Sequence, residues 1–450
     1  MEGAGQEVTT FRSAQWYAGT DRNAYIHRAW MRRGLPRHAF DGRPHIAIAN
    51  TASDLTPCNV HLDEVAASVK QGVWEAGGVP LNLPVVSLGE TQVRPTAMLW
   101  RNLAAMATEE MLRANPVDGV VLLGGCDKTI PSLLMAAASV DLPAVVVPGG
   151  PMLTGHFQGA TLGCGTDVWR LGEEVRAGRL PAETFLQSES AMIRSRGHCN
   201  TMGTASTMAC LAEALGTTIP GVAGTPAPDS RLLEQAHLTG RLAVELVEQE
   251  RRPSSILTRG SFHNAIVTLA AIGGSTNAVV HLLALAGRVG VDLTLDDFDR
   301  TGSGVPLLVD LQPAGRHLMD DLHRAGGRHR RPPCRSRGGR RRRPRPGPHR
   351  GPDRPGRPRP HAAPGRPTNR PAPPKPVPGD HHRLRLPTQW LAAPLHRPRP
   401  PGRPRRRPRL PGRPPRPPGH PRIPLRPPTL GSNPGRLRAG SVSSIVGATP

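Results

Sequence analysis

Apolar residues fall in two distinct rhythms over the first 327 positions. Short unbroken apolar runs bounded by polar or glycine-rich segments occur at 45–50 (HIAIAN), 81–90 (LNLPVVSLGE), 117–125 (VDGVVLLGG) and 142–150 (LPAVVVPGG). Runs of this length predict buried strands, the second of them ending at Glu90. Between them the apolar positions recur at helical spacing. This predicts helices over 60–75, stopped by the glycines of AGG, and over 94–115, with Pro95 in the first turn. A third helix is expected to open at Pro131 (PSLLMAAASV). Strand, helix, strand, helix at this spacing predicts an α/β fold with a mostly parallel sheet covered by helices. In such sheets ligands gather beyond the carboxyl ends of the strands.

Beyond Gly327 both rhythms stop. The last 123 residues hold 34 of the 52 prolines, 32 of the 58 Lys+Arg and 2 of the 34 Asp+Glu, with Trp390 as the one aromatic residue. The chain's net charge of +24 therefore belongs to this segment, and the first 327 residues are net acidic. A stretch this rich in proline and arginine cannot bury enough apolar surface to offset chain entropy, so it is expected to be disordered. It reads in three ways: a natural arm that contacts phosphates, a solvated tail without a partner, or the out-of-register translation of GC-rich DNA. The abrupt change at HRAGG/RHRRPPC favours the last. The expected organisation is an N-terminal arm over 1–40, an α/β domain over 41–327 and a low-complexity tail over 328–450.

No charged-then-apolar segment opens the chain, and no apolar run approaches the ~20 residues of a membrane span. A cytoplasmic location is the expectation, and no internal repeat is evident. Five cysteines lie in the first 327 residues, at 58, 126, 164, 199 and 210. In a reducing compartment they do not form a disulfide framework. Their spacing matches no local zinc or ferredoxin signature.

Position says more than spacing. Cys126, Asp127 and Lys128 follow one predicted strand, Glu90 ends another, and Cys58 leaves a third. Cys199 lies just ahead of a helix, whose positive end would favour its thiolate. Cys210 falls on the apolar side of that helix and reads as core; Cys164, in LGCGTD, reads either way. Glu90 and Asp127 read equally as capping or solvated acids. As an ammonium Lys128 has no lone pair for a metal. It would bind a substrate carboxylate, or become a ligand if converted to a carbamate. The GGSTN segment at 273–277 is either a helix turn capped around Ser275 or an amide cradle for an anion.

Four segments together, TPCN (56–59), GGCDKTIPSLLMAAAS (124–139), GHCNTMGTASTM (197–208) and AIGGSTNAVVHLLALAGRVGVDL (271–293), resemble the dihydroxy-acid and phosphogluconate dehydratase family. The likeness runs in order from about Ser13 to Gly327. The resemblance implies a hydro-lyase that converts a 2,3-dihydroxy acid to a 2-keto-3-deoxy acid. It implies that Cys58, Cys126 and Cys199 hold an iron–sulfur cluster with one iron open, while Glu90, Asp127 and a carbamylated Lys128 hold Mg²⁺. The cluster would then act as Lewis acid on the leaving hydroxyl, and Mg²⁺ would hold the enediolate. SAQWYAGTDRNAYIHRAWMRRG (13–34) and GETQVRPTAMLWRNLA (89–104) resemble the sugar-acid branch, which implies an aldonate of the L-arabonate type and a [2Fe–2S] cluster, with [4Fe–4S] as the alternative. The branched-chain biosynthetic enzymes, the alternative function, carry aspartate where Glu90 stands.

Relatives in this family continue into a β-rich domain that supplies the serine base and a further acidic ligand. Nothing in 328–450 resembles it, so the literal chain is expected to be inactive. Neither Ser206 nor Ser275 can be assigned as the base. The expected partners are a small sugar acid and further copies of the chain, with no membrane. Nucleic acid is expected only through non-specific contacts of the tail, which leaves a non-catalytic, polyanion-binding relative as the remaining reading.

Overall fold

The computed structural model describes residues 11–326. The proline- and arginine-rich segment, with Cys334, lies outside the described residues. Within them the expected α/β architecture is present. Four strands, β1 (His45–Asn50), β2 (Val79–Pro84), β3 (Gly119–Gly124) and β4 (Ala144–Pro148), form one sheet in the order β2–β1–β3–β4. All its neighbours are parallel, with Ala47 opposite Leu81 on one side and Val120 on the other.

Parallel strands need helical crossovers, and these are Leu62–Glu75, Met98–Ala114 and Thr129–Val140. Strand side chains alternate between faces, so each strand feeds two cores. Ile46, Ile48, Val121, Leu123, Val145 and Val147 pack under the helices Leu62–Glu75 and Ser230–Glu248. Ala47, Ala49, Val120, Leu122, Ala144 and Val146 face the opposite layer. It is built from Met98–Ala114, Thr129–Val140 and three later helices, Thr204–Ala214, Arg259–Ala271 and Asn277–Arg288. Each fully buried large aliphatic side chain contributes about 1.5–3 kcal/mol. A sheet covered on both faces accounts for strands that read as continuous apolar runs rather than as alternation.

The segment before β1 packs against the sheet edge, where Tyr17, Ala39 and Phe40 bury with Val79. Asp118 anchors it. One carboxylate oxygen accepts from Ser13 N–H (2.8 Å); the other accepts from Ser13 Oγ (2.6 Å) and His45 N–H (2.7 Å).

Several boundaries differ from those read in the sequence. β2 ends at Pro84, so Glu90 lies six residues beyond it in a turn. The second helix starts at Met98, and Pro95 precedes it at a cis peptide bond rather than in its first turn. The third helix starts at Thr129, which leaves Pro131 in the first turn, where its lack of an N–H costs no intrahelical bond. A short antiparallel hairpin, β5 (Gly155–Phe157) with β6 (Ala160–Leu162), was not expected; it delivers the chain to Cys164.

The strand order decides where a site can form. From β1 the chain crosses to β2 on one side, then returns to β3 and β4 on the other. The loops after β1 and β3 therefore leave adjacent strand ends at the point where the strand order reverses, the place where ligands gather in such sheets. Cys58 lies in the first of these loops, and Cys126, Asp127 and Lys128 in the second.

Candidate functional site

Asn59 joins the two loops. Its side-chain oxygen accepts from the N–H groups of Gly125 (2.9 Å) and Cys126 (3.0 Å). Its amide nitrogen donates to Thr51 O (3.2 Å), Thr51 Oγ1 (3.0 Å) and Ser87 Oγ (3.1 Å). Thr51 in turn donates to Leu123 O (2.8 Å), so the exits of β1 and β3 are held as one unit. The approach is tight. A Cβ on Gly125 would sit 2.7 Å from Cys58 O and 2.9 Å from Asn59 Oδ1, so only glycine fits there.

This brace sets the directions of three consecutive side chains. Cys126 turns toward Cys58, whose thiol hydrogen-bonds to it. The bond is the leading cause that lowers the Cys126 pKa and raises that of Cys58, with burial adding to the rise at Cys58. Lys128 turns into the protein, its side chain 2% exposed, with Nζ 2.9 Å from Asp127 Oδ2 and 3.2 Å from Glu90 Oε2. Burial raises the Asp127 carboxyl above its ordinary range, and the Lys128 ammonium pulls it back. The other oxygen, Asp127 Oδ1, is buried without a hydrogen-bond partner.

Glu90 reaches this cluster from its turn. Its carboxylate accepts from Thr96 Oγ1 (2.8 Å) and Ala97 N–H (3.2 Å), and its own N–H donates to Cys126 Sγ (3.4 Å). One residue thus connects the thiol pair to the carboxylate–ammonium group.

Cys199 approaches from the loop before Thr204–Ala214. The helix begins five residues later. Cys164 Sγ lies 3.1 Å from Cys199 Sγ, and Thr201 Oγ1 is a second partner at 3.1 Å. These bonds, that from Cys164 foremost, lower the Cys199 pKa to about 7 and raise that of Cys164. The charge of Cys199 is felt at Cys58, and that of Asp127 at Cys199. None of the five described cysteines forms a disulfide, and Cys210 is buried in the core as expected. Among the described residues no group of three or more His, Cys, Asp or Glu converges on a point that could hold a single metal ion.

Two serines have local roles. Ser206 Oγ donates to Cys199 O (3.2 Å) and Thr201 O (2.8 Å), which shapes the Cys199 loop. Ser275 Oγ lies 2.9 Å from Thr204 Oγ1 and accepts from Asn277 N–H (3.3 Å) at the turn between two helices.

Asn59 and His281 were not singled out by the sequence, and Cys164 was left open between core and site. For Asn59 the only signal was its place in TPCN, beside Cys58. His281 is buried with Nδ1 2.9 Å from Arg101 Nη1, and burial lowers its pKa to about 3, with Arg101 and Lys128 adding to the drop. An imidazole that stays neutral in the fold but protonates when unfolded makes stability fall as pH drops from about 6.5 toward 3. H281N keeps an acceptor for Arg101 and is expected to flatten this loss relative to wild type. Urea unfolding at pH 7.5 and 5 would show it, and an unchanged slope would rule it out.

The described residues bring thiols and carboxylates together beside the ends of adjacent parallel strands. The chain belongs to the dihydroxy-acid/6-phosphogluconate dehydratase family, whose N-terminal domain model matches residues 43–330. It is 58% identical over 316 residues to an L-arabinonate dehydratase of Rhizobium leguminosarum bv. trifolii, covering 70% of this chain and 55% of that protein. An L-arabonate dehydratase of Azospirillum brasilense is 55% identical over 316 residues (70% and 54%). A dihydroxy-acid dehydratase of Natronomonas pharaonis is 40% identical over 291 residues (63% and 48%). The chain therefore spans about half the length of the curated relatives it matches. Among the described residues no helix is long and apolar enough to cross a membrane.

Proposed function

We propose that residues 41–327 form the metal-carrying domain of a hydro-lyase that removes water from an aldonate of the L-arabonate type to give a 2-keto-3-deoxy acid. The observation that carries this reading is the bond from Glu90 N–H to Cys126 Sγ, which links the thiol pair to the carboxylate–ammonium group. The higher identity to the two sugar-acid dehydratases than to the dihydroxy-acid dehydratase supports the aldonate over a branched-chain precursor.

The donor chemistry fits two different groups. Soft thiolates at Cys58, Cys126 and Cys199 suit an iron–sulfur cluster, with [2Fe–2S] favoured; when bound it supplies a Lewis acid for the departing hydroxyl. Hard oxygens at Glu90 and Asp127, with the unpartnered Asp127 Oδ1 among them, suit Mg²⁺, with Lys128 completing the set as a carbamate. When bound, Mg²⁺ supplies positive charge beside the substrate carboxylate.

The chain's own residues prepare this site. Thr96 and Ala97 orient Glu90, and Asn59 holds Cys58 and Cys126 on facing loops. As an ammonium, Lys128 neutralises the two acids until it is modified. No described residue is assigned as the proton-abstracting base. The family match ends at residue 330, and the 450-residue chain is proposed to bind its metals without turnover.

Anaerobic loading of the full chain with iron and sulfide tests the reading. Wild type is expected to gain visible cluster absorbance and bound iron, and C126S to lose both while its circular dichroism is kept. L-Arabonate should give no keto acid with the 450-residue chain. Equal iron in C126S would sink the ligand assignment, and keto-acid formation would sink the proposed inactivity.

A further inference from the structure

Cys164 is not among the proposed cluster ligands, yet it lies against one of them. Its Sγ lies 3.1 Å from Cys199 Sγ. The contact is built into the backbone on both sides. Cys164 N–H donates to Asn200 Oδ1 (3.0 Å), and Asn200 N–H donates back to Cys164 Sγ (3.3 Å). Gly165 closes the other side, since a Cβ there would meet Cys199 Sγ at 2.7 Å. A disulfide needs the sulfurs about 1 Å closer, which small side-chain rotations on two loops can supply. Cys164 and Cys199 are both half-buried, whereas Cys126 and Cys210 are 3% and 1% exposed. Cys58 already has Cys126 as its partner.

We propose that Cys164 and Cys199 form a peroxide-reactive dithiol that closes to a disulfide when Cys199 carries no iron. The Cys199 thiolate attacks one oxygen of hydrogen peroxide, the O–O bond breaks and hydroxide leaves, giving the Cys199 sulfenic acid. The Cys164 sulfur then attacks the Cys199 sulfur and the S–O bond breaks. The second hydroxide takes the Cys164 proton and leaves as water. The first hydroxide takes up the proton that Cys199 released on ionising, so two thiols have lost two electrons to one peroxide, which ends as two waters.

Closure has two consequences. It removes Cys199 from the set available to the cluster, a consequence that rests on the proposed function. It also stops Cys199 at a reducible stage, short of the irreversible sulfinic acid. Cys164 is thus the resolving thiol for an emptied site.

The test uses the full 450-residue chain, iron-free and reduced, then treated with hydrogen peroxide and alkylated. Non-reducing peptide mass spectrometry is expected to find Cys164 joined to Cys199, with Cys210 alkylated after denaturation. The oxidised chain should take up several-fold less iron and sulfide than the reduced chain, and dithiothreitol should restore it. In C164S, peroxide should instead drive Cys199 to sulfinic acid, with iron uptake not restored by dithiothreitol. The linkage mapping on wild type needs no variant to fold. An alkylatable Cys164 after treatment, or Cys199 joined to a different cysteine, would overturn the proposal. A correct linkage in a chain that takes up no iron even when reduced would instead refute the cluster reading and leave the dithiol standing.

Discussion

Replacing Lys128 with methionine is expected to destabilise the domain by about 3–5 kcal/mol, the usual cost of removing one partner from a buried ion pair. Methionine keeps most of the lysine stem, so packing loss is small and the ammonium is the chief change. Asp127 and Glu90 then face each other with no counter-charge, where Nζ had stood 2.9 Å and 3.2 Å from their oxygens. Glu90 is partly exposed and can turn toward solvent, so the cost should fall toward the lower figure. Urea unfolding of K128M measures the loss. The triple variant E90Q/D127N/K128M should recover most of it, since neutral amides no longer repel. A K128M midpoint equal to wild type would show that the ion pairs contribute nothing. Magnesium binding, followed by calorimetry, should disappear in K128M if the carbamate is a ligand.

Replacing Asn59 with leucine should have a comparable effect for a different reason. The side chains are similar in size, but leucine cannot accept from Gly125 and Cys126 N–H or donate to Thr51 and Ser87. Leaving buried backbone donors unpaired costs about 1–3 kcal/mol each, so about 4 kcal/mol in all is expected. The loops carrying Cys58 and Cys126 lose their common support, so iron uptake should fall severalfold even below the unfolding transition. N59D, which keeps the acceptor, should retain much more of both. Wild-type iron content in N59L would show that the thiols are positioned by something else.

These two residues mark the limit of what could be read from the chain. Lys128 stood in a motif whose place was legible, because a thiol, a carboxylate and an amine after an apolar run sit at a strand end, while its role came only from the family resemblance. Asn59 stood beside Cys58 and passed unremarked, because its partners are 66 and 67 residues away. Glu90 was placed at the end of a strand that stops six residues sooner. It meets Cys126 and Lys128 because its turn is held against them, a contact no local pattern encodes. Cys199 lies just ahead of a helix, as its sequence position indicates, and the structure adds a thiol neighbour 35 residues away.

The sequence by itself determined the four strands of the parallel sheet and the helices between them, in their order. Apolar runs and helical spacing are local signals, and burial on both faces makes them strong. It also placed the candidate thiols and acids on loops. Only the tertiary structure decided the strand order β2–β1–β3–β4, which sets the loops after β1 and β3 side by side. It likewise decided which loop residues meet there, because hydrogen bonds across long sequence separations select one loop arrangement from many that the same local pattern allows.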